Sequence, residues 1–169
     1  MRWPMALLLL AFLAVRLPAG EARTVIVLGD SLTAGYGVGE AKAYPALLQK
    51  RLTDEKLAWK IENAGVSGDT SRGALARLVP LLKHKPAVVV VAIGANDGLR
   101  GLPVDRLRAN LKEILAKITA AGAKPVVCGM RVPDNLGRSY VDSFSKVFGA
   151  VAAEIKAPCL PFLLEGVAA

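Results

Sequence analysis

Three short polar segments carry the residue types that acyl transfer needs. The first is Gly29-Asp30-Ser31-Leu32-Thr33, in which Ser31 supplies a hydroxyl nucleophile where an apolar strand run ends. The second is Asn63-Ala64-Gly65-Val66-Ser67-Gly68-Asp69-Thr70. There the Gly68 backbone N–H falls just before a helix, whose amino end favours negative charge. The third is Gly94-Ala95-Asn96-Asp97-Gly98, where Asn96 offers a side-chain amide donor. A serine nucleophile with convergent N–H donors is the equipment for attacking a carbonyl and holding the oxyanion that forms. Gly-Asp-Ser by itself is good turn chemistry. Asp69 and Asp97, beside helix starts, read as capping or loop-orienting residues before they read as metal ligands.

These segments act together only if the chain brings them to one place, and its periodicity says that it does. Apolar runs at Thr24–Leu28, Trp59–Asn63, Ala87–Ile93, Pro125–Cys128 and Cys159–Phe162 predict five strands. Ala87–Ile93 shows no polar alternation, as a parallel strand covered on both faces should not. Between the strands lie helical patterns at Ala43–Thr53 and Thr70–Leu82, a third opened by Pro103, and a fourth from Tyr140 to Ile155. The third places Leu107, Leu111, Ile114, Leu115 and Ile118 on one face. The fourth does the same with Tyr140, Phe144, Val147, Phe148, Val151 and Ile155. Strand–helix alternation predicts an α/β fold with a parallel sheet. The three polar segments follow strands one, two and three, so they converge beyond the carboxyl edge of the sheet, where ligands bind in such folds.

The segments together resemble the blocks of the SGNH, or GDSL, hydrolases. Gly29-Asp30-Ser31-Leu32 is similar to the first block, Gly68 within Val66-Ser67-Gly68-Asp69-Thr70 to the second, and Gly94-Ala95-Asn96-Asp97 to the third. Gly35-Tyr36-Gly37, Asn96-Asp97-Gly98-Leu99-Arg100-Gly101 and Leu160-Pro161-Phe162 extend the likeness to the bacterial periplasmic branch of thioesterases, lysophospholipases and arylesterases. The resemblance implies a flavodoxin-like three-layer sandwich with a five-stranded parallel sheet in the order 2-1-3-4-5. It implies Ser31 as nucleophile, with the N–H groups of Ser31 and Gly68 and the Asn96 side chain as the oxyanion hole. The loop of Asp97, Gly98, Leu99, Arg100, Gly101 and Leu102 would border the acyl-chain groove. Small acyl esters, thioesters and lysophospholipids are the implied substrates, and no cofactor or metal is implied.

One block of that family, D-x-x-H, is absent from the sequence, and the only histidine is His84. His84 precedes the third strand, whereas Asn96 follows it. At ~3.3 Å per residue it lies roughly 20 Å from the site, and a general base must come within about 3 Å. His84 is therefore expected to be a solvated residue of a basic turn. The enzyme is expected to be impaired, to lack a last helix, and to expose apolar sheet surface. Two other functions share these blocks: an acyl-binding protein that does not cleave, and a carbohydrate O-deacetylase.

The remaining features narrow the class. A basic start, an apolar run from Met5 to Val15, and Gly20 and Ala22 at −3 and −1 predict a secretory leader over residues 1–22, hence an exported protein whose domain spans residues 23–169. The run is shorter than the roughly 20 residues of a spanning helix. The net charge is +8, but the cations are scattered and not interleaved with aromatics, so a solvated basic surface is expected, with no nucleic-acid partner and at most peripheral membrane contact. A monomer is expected. Cys128 and Cys159 lie in predicted strands and read as buried thiols, although export would permit a disulfide. Gly35, Gly37 and Gly39 do not form G-x-G-x-x-G, and neither a P-loop nor a G-x-S-x-G elbow occurs.

Overall fold

The computed structural model describes residues 22–167. Residues 1–21 of the expected leader lie outside the described residues, as do Ala168 and Ala169. Five strands form one sheet: β1 (Arg23–Gly29), β2 (Trp59–Gly65), β3 (Val88–Ala92), β4 (Lys124–Cys128) and β5 (Cys159–Leu160). Their order is β2-β1-β3-β4-β5 and every neighbouring pair is parallel, as expected. The helices are α1 (Ser31–Ala34), α2 (Tyr44–Asp54), α3 (Ser71–Leu82), α4 (Ala95–Leu99), α5 (Val104–Ala120) and α6 (Arg138–Glu154). α5 touches both α3 and α6, making one layer, and α2 packs on β2. The chain steps one way from β1 to β2 and the other way thereafter, so right-handed crossovers put α2 on the opposite face from that layer.

The periodic helices bury the stripes their sequences mark. All five predicted residues of α5, from Leu107 to Ile118, are at most 1% exposed. Burying each such aliphatic side chain is worth roughly 1.5–3 kcal/mol. In α6, Phe144, Val147, Phe148 and Val151 are buried, but Ile155 caps the helix and is 44% exposed. β3 is buried throughout, as are Val126, Val127 and Cys128, whereas Cys159 and Leu160 of the edge strand β5 are half-buried.

β5 is shorter than its apolar run because Pro161 has no N–H to give to the ladder. The ladder pairs Val127 with Cys159 and Cys128 with Leu160. Registered partners share a face and successive residues alternate, so the two cysteines point to opposite sides, and both are free. Three turns that lead from a helix into a strand hold a lysine at positive φ: Lys56 (55°), Lys85 (51°) and Lys156 (55°). No helix among the described residues is long and apolar enough to cross a membrane.

Candidate active site

Ser31 is the first residue of α1, directly beyond β1, and it is half-buried. Asp30 caps this short helix, its Oδ1 accepting the Leu32 N–H at 3.0 Å. The other oxygen, Oδ2, is buried without a partner among the described residues, and burial pushes the Asp30 carboxyl above the usual carboxylate range. Glycine is required at two positions where α1 presses on the sheet. A Cβ on Gly29 would strike the Thr33 side chain, and one on Gly65 would strike the Thr33 and Ala34 backbone. Side chains complete the seating. The Thr33 and Tyr44 hydroxyls are 2.8 Å apart, Asn63 Nδ2 donates to the Thr33 carbonyl at 2.9 Å, and Asn63 Oδ1 accepts the Gly65 N–H at 2.9 Å. Burial raises the Tyr44 hydroxyl well above its ordinary value, so it stays protonated beside Thr33.

The second and third segments meet the first. Gly68 is exposed with φ 80°, in the left-handed region, and precedes α3. Neither the Ser31 nor the Gly68 N–H is spent on another described residue. Asn96 Nδ2 donates one hydrogen to the Asp69 carbonyl at 2.9 Å, which fixes the amide beside Gly68 and leaves its second hydrogen available. The six-residue loop expected to border a groove divides. Asp97 and Gly98 are buried, whereas Leu99, Arg100, Gly101 and Leu102 are exposed. Asp97 faces inward, its two oxygens accepting the Ser71 N–H at 2.7 Å and the Ser71 hydroxyl at 2.6 Å. Asn110 Nδ2 donates to the same Ser71 oxygen at 2.9 Å. Gly98 lies against Val132 and Phe144, with no room for a side chain. Arg100 Nη2 donates to the Gly68 carbonyl at 2.8 Å, bridging the second and third segments.

Arg77, on α3, was not legible as a site residue. Its guanidinium donates to Asp69 Oδ2 at 2.7 Å, to the Ala64 carbonyl at 2.8 Å and to the Gly29 carbonyl at 3.0 Å. One planar fork thus holds the ends of β1 and β2 and the carboxylate next to Gly68. No sequence pattern marks it, because the three acceptors come from three elements and two of them are backbone.

His84 is tied up elsewhere. Its Nδ1 lies 2.9 Å from Glu62 Oε1, so it is an exposed residue held by a side-chain contact and not merely solvated. The β1–β3 register sets Gly29 beside Ala92, at the carboxyl edge, while His84 precedes Val88 at the other. No side chain among the described residues hydrogen-bonds the Ser31 hydroxyl. No group of three or more potential metal ligands occurs among them either.

A parallel sheet of this order, with the Ser31, Gly68 and Asn96 segments beyond its carboxyl edge, has the architecture of the SGNH hydrolases. The chain belongs to the GDSL-like lipase/acylhydrolase family, whose model matches residues 27–168. It is 47% identical to the esterase TesA of Pseudomonas aeruginosa over 165 residues, which cover 96% of this chain and 82% of that one. It is 42% identical to thioesterase 1/protease 1/lysophospholipase L1 of Escherichia coli K12, over 98% of this chain and 78% of the relative. The crystal structure of TesA superposes with a TM-score of 0.83 at 48% identity, covering 86% of this chain and 81% of that one. The family and these relatives are ester and thioester hydrolases.

Proposed function

We propose that this chain hydrolyses carboxylic esters and thioesters of acyl groups through an acyl-Ser31 intermediate. Ser31 Oγ attacks the carbonyl carbon. The N–H groups of Ser31 and Gly68 and the second amide hydrogen of Asn96 receive the developing oxyanion. Collapse of that adduct expels the alcohol or thiol, and water then releases the acid. The observation that carries this assignment is the pair of unspent N–H donors at the start of α1 and before α3, with the Asn96 amide anchored to Asp69 next to Gly68. Acyl substrates suit the rim, because the first two segments and the residue directly after the third expose large apolar side chains: Leu32 (37%), Val66 (47%) and Leu99 (61%). Donors of this kind are worth about 10²–10³ in kcat each. The leader pattern at residues 1–22 supports export, and the reaction needs no cofactor or metal.

The serine proton has no acceptor within reach among the described residues, so we propose slow turnover in the chain as it stands. The same observation favours a second role, in which acyl groups are held and not cleaved. Hydrolysis of a neutral p-nitrophenyl ester by the chain from Arg23 onward, beside Ser31→Ala, decides between them. Turnover that depends on Ser31 supports the hydrolase. Equal rates for the two folded proteins, with acyl binding retained, support the binding role. A rise in Ser31-dependent rate on adding imidazole identifies proton acceptance as the missing element.

A further inference from the structure

A groove of about 750 Å³ opens between the first turns of α5 and α6. Its walls carry three cations, Arg108, Arg138 and Lys146, with the Ser139 and Ser143 hydroxyls between them. Asp105 is the one carboxylate in the lining. Asp134 and Asp142, each four residues before one of these cations in sequence, are exposed but do not line it. None of the three cations makes a hydrogen bond or ion pair to another described residue, although Arg108 is half-buried. Three like charges around one cavity repel each other, and an anion with several oxygens relieves that repulsion. The amino ends of two 17-residue helices, neither capped by a side chain, add to the same positive field.

The groove is coupled to the site. The Tyr140 hydroxyl donates to the Leu102 carbonyl at 2.8 Å, at the end of the loop that begins with Asn96 and Asp97. Val104, two residues further on, lines the groove. We infer that this groove is a phosphate-binding subsite that takes the phosphate of an acyl substrate's leaving group, through Arg108, Arg138, Lys146 and the two serine hydroxyls. The inference rests on the hydrolase assignment and narrows it to phosphate-bearing esters and thioesters over neutral ones. Phosphate suits this lining better than carboxylate, because its oxygens can meet cations on both walls at once.

The test measures binding without turnover. Ser31→Ala protein is titrated by calorimetry, at low ionic strength, with 1-octanoylglycerol 3-phosphate, 1-octanoylglycerol and inorganic phosphate. The expected result is at least tenfold tighter binding of the phosphorylated ligand than of the neutral one. That preference should vanish in Arg108→Ala/Arg138→Ala and weaken in Lys146→Glu, with melting curves showing that both variants fold. Equal affinity for the two octanoyl ligands overturns the inference. So does a preference that survives in both variants. Phosphate binding with which the octanoyl phosphate does not compete would show a site for a free anion and overturn the substrate role. None of these outcomes depends on Ser31 chemistry, so they are separable from failure of the hydrolase assignment, which neutral-ester turnover tests.

Discussion

Replacing Arg77 is the sharpest perturbation of the site framework. Arg77→Ala removes three hydrogen bonds at 2.7, 2.8 and 3.0 Å and leaves the Asp69 carboxylate, whose side chain is 11% exposed, without its cation. Breaking a fully buried pair costs about 3–5 kcal/mol. The Arg77 side chain is 25% exposed, so solvent recovers part of this. The expected loss is therefore about 2–3 kcal/mol, which lowers Tm by roughly 5–12 °C in a domain of this size. Urea denaturation of wild type, Arg77→Ala, Arg77→Lys and Arg77→Ala/Asp69→Asn measures it. Lysine cannot reproduce a planar fork with three acceptors, so Arg77→Lys should recover less than half of the loss. Removing Asp69 as well should cost little more than Arg77→Ala alone. Any Ser31-dependent ester turnover should fall in kcat more than it rises in KM, because the fork holds Asp69 next to the proposed Gly68 donor without touching substrate. A stability change under 0.5 kcal/mol for Arg77→Ala, or full recovery with lysine, would refute the clamp.

Three other outcomes follow from buried polar groups. The raised Asp30 carboxyl makes the folded state hold its proton longer than the unfolded chain. Stability therefore falls as pH rises from the ordinary value of 3.8 through the raised one, and stays down above it. Asp30→Asn should remove that fall and raise stability at pH 7 by about 1–2 kcal/mol, with the gain shrinking at low pH in pH-dependent urea titrations. Asp97→Ala leaves the Ser71 N–H and the hydrogen of its hydroxyl without acceptors in a buried place, although Asn110 still donates to that oxygen, and should cost about 3 kcal/mol by the same denaturation assay, with Asp97→Asn costing less. Burial pushes the Cys128 thiol from 9.0 up to about 12, so the unfolded chain ionises first. Stability should drop by about 1.4 kcal/mol per pH unit from this group above pH 9, and Cys128→Ala should flatten that limb of the pH–stability curve.

The parts of the fold that were readable are those whose signal is local and repeated. The α5 stripe and the β3 valine run each state their environment several times over, and the strand-then-polar-loop order placed Ser31, Gly68 and Asn96 at one edge of the sheet. Local chemistry settles ends less well. Pro161 shortened β5, and Ile155 continued the α6 pattern although it only caps that helix. The framework of the site was largely invisible. Arg77 and Asn63 act on backbone carbonyls, and Ser71, Asn110 and Asp97 form a knot that spans three elements. Such contacts exist only after the chain has folded, so spacing along the sequence carries no trace of them. The loop 97–102 shows the same limit: its residues look alike as a string, yet the first two turn inward and the last four outward.

The lysines at positive φ bear on how the protein could be hardened. Lys56, Lys85 and Lys156 hold a conformation that costs a residue with a Cβ about 1 kcal/mol or more. All three sit where chains enter the sheet, at the edge opposite Ser31. Stabilising changes commonly trade against activity when they stiffen a working site. Here the slack and the chemistry occupy opposite edges of the same sheet. Glycine at these turns gives back part of that cost as greater unfolded-chain freedom, so the net gain per turn is a fraction of a kilocalorie, but three such gains add independently. The molecule thus carries a small thermal reserve that selection could draw on without altering what happens at its other edge.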